Sequence, residues 1–260
     1  MKRKAVVFDM DGTVLDTGED LRNALVRAFG KAGLQFPYPK KKVTRFFGSG
    51  ILVAVQRAIL CGEGVPEGLL EHVGETREEV LQQGWTEGQW KKLEKAVSIL
   101  DQPDWKEKIR IITDDFAQYY PDHGNIDTKP YDGILEVLDF LKEKGIPKAV
   151  VSNKIDAAVQ QLVADYFPGR FEVSIGEQEG MHRKPAPDMV EAALKQLGVS
   201  KEEAVYVGDS EVDLLTAKNS GLRCLSVGWG FRSESFLHAH GASTILEDPA
   251  ALSRELESLL

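Results

Sequence analysis

Short apolar segments alternate with amphipathic helices over the second half of the chain, and this alternation limits the possible folds more than any other feature. From about residue 130 onward, apolar segments such as 149–151, 171–175 and 204–207 are each followed by a predicted helix. Strands that alternate with helices predict a parallel sheet with helices on both faces. The predicted fold class is therefore α/β, with a doubly wound parallel sheet.

One further strand is predicted far from the others. Residues 4–8 have the same apolar, β-branched character, but the pattern between about residues 18 and 129 is helical throughout. The economical interpretation is an all-helical domain inserted after the first strand of an α/β domain. We therefore predict a core domain at 1–17 and 130–260 and a helical domain at 18–129.

Composition and charge argue against several classes of protein. The net charge of -9 would repel a phosphate backbone, and the longest basic run, residues 40–42, is short, so we expect no nucleic-acid partner. No segment approaches the roughly 18 consecutive apolar residues that a membrane helix needs. Cys61 and Cys224 are far apart and outside any CxxC pair, which supports neither a disulfide scaffold nor a zinc site. We expect a soluble, cytoplasmic protein.

Polar side chains follow four of the predicted strands, at the edge where open α/β sheets bind ligands. Taken singly, each segment is typical of a helix N-cap or of a surface lysine. Ser152 and Asn153 are expected to open a helix, whose free N–H groups favour an anion. Together they supply clustered acids that need a divalent cation to coexist, and a hydroxyl, an amide and a lysine suited to phosphate. The pattern therefore indicates a phosphoryl-transfer site formed by Asp9, Asp11, Ser152, Asn153, Lys184, Asp209 and Asp213.

These segments resemble the four motifs of the haloacid dehalogenase-like hydrolases, in the same order along the chain. The matching residues are 9–14 (DMDGTV), Ser152-Asn153, Lys184-Pro185, and Gly208-Asp209-Ser210 with Asp213. The motifs span the whole α/β core, and the helical insertion lies where the helical-cap subgroup of this superfamily carries its cap domain. The resemblance therefore implies a Rossmann-like catalytic core with an inserted all-helical cap.

The resemblance and the chemistry of the side chains imply the same catalytic roles. Asp9 is the expected nucleophile, forming an aspartyl-phosphate, and Asp11 is the expected general acid and base. The implied cofactor is Mg²⁺, bound by Asp9, the backbone carbonyl of Asp11, and Asp209. Asp213 is expected to support the metal site without binding the metal directly.

The remaining motif residues are expected to bind the phosphoryl group. Ser152 and Asn153 would hold its oxygens, and Lys184 would neutralise its charge. Asp11 favours a phosphatase over the dehalogenases and ATPases of the superfamily, which carry another residue there.

The substrate prediction rests on the insertion. Residues 48–52 (GSGIL) and 56–59 (QRAI) resemble the cap segment of phosphoglycolate phosphatases. This implies 2-phosphoglycolate as the best guess among small phosphorylated metabolites, with Arg57 pairing with the substrate carboxylate; the alternative is that Arg57 is a solvated helix residue.

Other functions stay open from the sequence. The same core serves sugar phosphatases, β-phosphoglucomutase-like mutases, nucleotidases and pyrophosphatases. A non-catalytic, receiver-like regulatory module phosphorylated on Asp9 is the alternative from another class. The sequence does not fix the oligomeric state.

Overall fold

The structure is a computed structural model in which residues 4–259 are described. The described residues divide into two compact units, 4–17 with 128–259, and Gly18–Asp127. Residues 1–3 and 260 of the predicted core domain lie outside the described residues. The assignment of a catalytic domain and a cap domain stays a prediction. Within residues 4–259, no helix is both long and apolar enough to cross a membrane.

The first unit is built on a six-stranded sheet in the order β5-β4-β1-β6-β7-β8, in which every neighbouring pair is parallel. A separate short antiparallel pair, β2 and β3, joins the chain before and after the helical unit. The strands are β1 (Ala5–Phe8), β2 (Leu15–Asp16), β3 (Lys129–Pro130), β4 (Lys148–Ile155), β5 (Val173–Glu177), β6 (Ala204–Gly208), β7 (Arg223–Val227) and β8 (Ile245–Leu246).

The helices fall into two sets that follow the two units. The second unit contains α1 (Gly18–Lys31), α2 (Lys40–Thr44), α3 (Ile51–Gly62), α4 (Glu67–Leu70), α5 (Arg77–Gln82), α6 (Glu87–Val97) and α7 (Pro103–His123). The first unit contains α8 (Ile134–Glu143), α9 (Asp156–Tyr166), α10 (Asp188–Leu197), α11 (Glu211–Ser220), α12 (Glu234–Ala239) and α13 (Pro249–Leu259).

The central strand β1 explains why the sheet is covered on both faces. Its four residues are fully buried, and successive side chains point to opposite faces of the sheet. Val6 and Phe8 pack into a core formed with α8, α9 and α13. Ala5 and Val7 pack into a second core formed with α10. The doubly wound parallel sheet predicted from the sequence is therefore confirmed.

In the second unit, α1 and α7 are joined around one buried carboxylate. The side chain of Asp115 on α7 is only 5% exposed, and it pairs with Lys31 and with Arg27, whose Nε lies 3.2 Å from Asp115 Oδ2. The ring of Tyr119 lies 4.5 Å below the Arg27 guanidinium. These contacts hold α1 and α7 against each other within this unit.

Candidate active site at the carboxyl edge of the sheet

Two acidic residues directly follow neighbouring strands of the sheet. Asp9 follows β1 and Asp209 follows β6, and the Asp9 N–H continues the ladder by donating to the Val207 carbonyl at 2.9 Å. The carboxyl ends of parallel strands meet at one edge of the sheet, which is where open α/β folds bind ligands. Both side chains are buried there, Asp9 being 7% exposed and Asp209 2% exposed.

Lys184 links Asp9 to a second carboxylate. Its Nζ donates to Asp9 Oδ1 at 2.5 Å, to Asp213 Oδ1 at 3.0 Å and to the Tyr206 hydroxyl at 3.1 Å. The Lys184 side chain is 4% exposed, so these bonds form away from water. One buried ammonium group therefore compensates the charge of Asp9 and Asp213 together.

The carboxylates at this edge are hard to ionise, as the direction of their pKa shifts indicates. Burial, reinforced by Asp213, raises the pKa of Asp9 to about 7, although Lys184 acts in the opposite direction. Burial and the neighbouring Asp9 likewise raise the pKa of Asp209 well above its usual value. Burial alone would lower the pKa of Lys184, but Asp213 and Asp9 outweigh it and raise that pKa. Three carboxylates around one ammonium group favour a further cation.

The arrangement of these carboxylates fits a divalent cation. Ligand atoms of Asp9, Asp209 and Asp213 lie within 4.8 Å of one another. The Thr13 hydroxyl is 3.3 Å from both Asp9 Oδ2 and Asp209 Oδ1, so these two oxygens face a common point. Buried carboxylate oxygens are the hard ligands that Mg²⁺ prefers.

Asp213 already has partners for both of its oxygens. Oδ1 accepts from Lys184 and Tyr206, and Oδ2 accepts from the N–H groups of Asp209 and Ser210 and from the Ser210 hydroxyl at 2.6 Å. This pattern is consistent with the predicted supporting role of Asp213, because its lone pairs hold Lys184 and the start of α11.

A tight turn after β1 places Asp11 at the rim of this cluster. Gly12 donates to the Leu15 carbonyl at 2.9 Å and has a φ of 88°, a left-handed conformation that glycine adopts without strain. A Cβ at this position would lie 2.3 Å from Asp209 Oδ2, so glycine also gives Asp209 room. The Asp11 side chain is 22% exposed, and the Lys154 ammonium lies 3.2 Å from Asp11 Oδ1.

Lys154 is a residue of the site that the sequence analysis missed. Its side chain is 18% exposed, and it immediately follows Ser152-Asn153 in the chain. The available signal was this adjacency, but a single lysine after a strand is more often a solvated surface residue.

The prediction that Ser152 and Asn153 open a helix is wrong. Both belong to β4, which continues to Ile155 and still pairs with Glu177 of β5 after a shift in register, while α9 begins at Asp156. The irregular strand end thus replaces the expected helix N-terminus.

The Asn153 side chain forms two hydrogen bonds with the backbone of Lys184. Its Nδ2 donates to the Lys184 carbonyl at 3.1 Å, and its Oδ1 accepts from the Lys184 N–H at 2.8 Å. The Ser152 hydroxyl accepts from the Lys154 N–H at 3.1 Å. Asn153 therefore holds the segment that carries Lys184, and direct phosphate binding by Ser152 and Asn153 stays a prediction.

The alternative that Arg57 is a solvated helix residue is wrong, because the residue is 1% exposed. Its guanidinium donates to the carbonyls of Phe46 at 3.1 Å, Glu71 at 2.8 Å and Val73 at 2.9 Å. Donors committed to backbone carbonyls do not favour pairing with a substrate carboxylate, and that pairing stays a prediction.

Comparison with known proteins identifies the family. A family model described as haloacid dehalogenase-like hydrolase matches residues 3–221. The chain belongs to the haloacid dehalogenase-like hydrolases. The predictions of the family, the fold and an enzyme of the haloacid dehalogenase-like phosphatase type are thereby confirmed.

Individual relatives are similar over most of their length. The phosphoglycolate phosphatase of Neisseria meningitidis serogroup A is 30% identical over 88% of this chain and 80% of its own. Phosphoglycolate phosphatase 1 of Pseudomonas aeruginosa is 29% identical over 99% of this chain and 78% of its own. The crystal structure of a candidate phosphoglycolate phosphatase from Lactobacillus delbrueckii subsp. bulgaricus is 40% identical, with a TM-score of 0.81 over 98% of this chain and 99% of that one.

Proposed function

We propose that this enzyme is a Mg²⁺-dependent phosphatase that hydrolyses 2-phosphoglycolate through an aspartyl-phosphate on Asp9. The observation that carries the mechanism is the buried Asp9 carboxylate, which faces Asp209 on one side and is bonded to Lys184 on the other. The substrate is supported by the relatives described above, including the 40% identical protein from Lactobacillus.

In the first half-reaction, Asp9 attacks phosphorus and the bond from phosphorus to the leaving oxygen breaks. The Lys184 ammonium favours the ionised form of Asp9 and neutralises negative charge on the phosphoryl group. Asp11 gives its proton to the leaving oxygen, and its partial exposure allows that contact.

In the second half-reaction, water attacks the phosphorus of the aspartyl-phosphate. Asp11 takes the proton of that water, and the bond from phosphorus to Asp9 breaks, which returns both carboxyl groups to their starting states. Mg²⁺ held by Asp9, Asp209 and the Asp11 carbonyl would supply the positive charge that the three buried carboxylates lack.

The mechanism is tested by measuring phosphate release from 2-phosphoglycolate with Mg²⁺ and with EDTA. We expect EDTA to abolish turnover and Mg²⁺ to restore it. Asp9→Asn should abolish turnover while leaving the circular dichroism spectrum unchanged. Asp139→Asn is a matched control, because Asp139 pairs with Arg170 on the surface of the same unit. Full activity in EDTA or in the Asp9 variant would contradict the mechanism.

The substrate is tested with a panel that also contains a hexose phosphate, a nucleotide, pyrophosphate and an aryl phosphate. We expect the highest kcat/KM for 2-phosphoglycolate. A higher kcat/KM for another compound would make that compound the substrate and would leave the proposed mechanism unchanged. Stable labelling of Asp9 without release of phosphate would instead indicate a regulatory module.

A further inference from the structure

The loop after β7 contacts Asp209 through its backbone. The Phe231 N–H donates to Asp209 Oδ2 at 2.6 Å, and Phe231 is itself buried. A Cβ on Gly230 would lie 2.3 Å from the Asp209 Cβ and 2.5 Å from the Gly12 carbonyl, so the loop packs directly against both segments. Asp209 is thus held by a segment that contains none of the four family motifs.

A buried ion pair fixes this loop to the start of α11. Arg232 Nε donates to Glu211 Oε2 at 2.7 Å, and a terminal nitrogen of Arg232 donates to Glu211 Oε1 at 2.5 Å. The two side chains are 1% and 11% exposed, and the Arg232 guanidinium lies 4.8 Å above the ring of Phe236. Two parallel bonds restrict the relative orientation of the two groups more than a single contact would.

The ion pair and the hydrogen bond close a small ring around Asp209. Glu211 is two residues after Asp209, and Arg232 directly follows Phe231. The chain therefore runs from Asp209 to Glu211, across the ion pair to Arg232, and back through the Phe231 N–H. This ring fixes Oδ2 of Asp209 and leaves Oδ1 beside the Thr13 hydroxyl, which also contacts Asp9.

We propose that Glu211 and Arg232 are positioning residues that orient the Asp209 carboxylate toward the divalent cation. This inference rests on the proposed function, because that function supplies the cation. Partners that orient metal-binding groups commonly change metal affinity about 10- to 100-fold when they are removed.

The test uses cation affinity together with stability. The variants are Glu211→Gln, Arg232→Met and the double variant. Each metal-free protein is titrated with Mg²⁺ by isothermal calorimetry and with Mn²⁺ by following free Mn²⁺ in electron paramagnetic resonance spectra. Thermal unfolding of the metal-free proteins gives their stability, and kcat is measured at saturating Mg²⁺.

We expect each single variant to bind Mg²⁺ and Mn²⁺ about 10-fold more weakly or worse. Each should also be less stable, because it leaves one buried charge without its partner. The double variant removes both charges of the pair, so stability should recover toward wild type while cation affinity stays low. Saturating Mg²⁺ should restore most of kcat in a positioning variant.

Arg170→Met is the matched control. Arg170 forms a two-bond pair with Asp139 at 2.9 and 3.0 Å on the surface of the same unit, and its loss should leave cation affinity unchanged. Wild-type affinity in the single variants, or recovery of both affinity and stability in the double variant, would overturn the proposal. Failure of the wild-type protein to bind either cation would instead reject the proposed function.

Discussion

Arg57→Met tests the role that the structure gives to a buried guanidinium group. Three of its hydrogen bonds to backbone carbonyls, those to Phe46, Glu71 and Val73, are 3.1 Å or shorter. A hydrogen bond to a charged group contributes about 1.5–3 kcal/mol, so three give an upper bound of roughly 4.5–9 kcal/mol. Because water can reach some carbonyls after the change, we expect a loss of about 3–5 kcal/mol, a large part of a typical domain's stability.

Guanidinium chloride unfolding, followed by tryptophan fluorescence, measures this loss. Three of the four tryptophans, Trp85, Trp90 and Trp105, lie within the second unit, so the signal reports mainly on the unit that contains Arg57. At denaturant concentrations where the variant is folded, we expect kcat/KM to change by the same factor for 2-phosphoglycolate and for an aryl phosphate. The change should be the same for both substrates because the Arg57 guanidinium donates to backbone carbonyls, and an effect on the fold does not distinguish a substrate with a carboxylate from one without.

The matched control is Arg110→Met on the surface of α7. The Arg110 side chain is 61% exposed and pairs with Glu107 and Asp114, so its loss should leave the unfolding midpoint unchanged. The reasoning would be refuted if Arg57→Met kept the wild-type midpoint but lost kcat/KM for 2-phosphoglycolate alone. That result would make Arg57 a contact of the substrate carboxylate.

Two further predictions concern the first unit. Burial raises the pKa of Asp9 to about 7 in the metal-free folded chain. Between roughly pH 4 and 7 the folded chain therefore keeps a proton on Asp9 that the unfolded chain has lost. Because the folded state binds more protons in this window, the contribution of Asp9 to stability falls as pH rises. Thermal melts in EDTA should show that wild type loses stability relative to Asp9→Asn as pH rises across that window. Mg²⁺ should remove this loss. Melting temperatures of the two proteins that change with pH in parallel would contradict the prediction. Asn153→Ala removes two bonds to the backbone of Lys184 and should cost about 1–3 kcal/mol in denaturant unfolding together with a lower kcat. A raised KM with unchanged stability would instead indicate direct phosphate binding.

The sequence was most informative where a property depends on local pattern. The alternation of strands and helices predicted the doubly wound sheet, because each periodicity reports which face of an element is buried. The same pattern placed Asp9 and Asp209 at strand ends, and parallel strands bring such ends to one edge whatever the details of packing. The structure has both acids at that edge.

Local pattern was less informative about single polar residues. Ser152 and Asn153 were expected to open a helix, but pairing with β5 extends the strand past them. The decisive contact, between β4 and β5, joins segments more than 20 residues apart. Secondary structure at such a boundary is set by that partner strand, and local propensity does not include it.

What the amino-acid sequence determined by itself is the parallel α/β architecture, the helical insertion and the set of acids at the sheet edge, because these follow from periodicity and order along the chain. The tertiary structure alone decided where the polar side chains direct their hydrogen bonds. Arg57 binds carbonyls up to 16 residues away, Asn153 holds the backbone of Lys184 31 residues away, and Arg232 pairs with Glu211 21 residues away. A charged residue in a sequence is expected to face water, and only a folded chain can supply the partners that make its burial favourable.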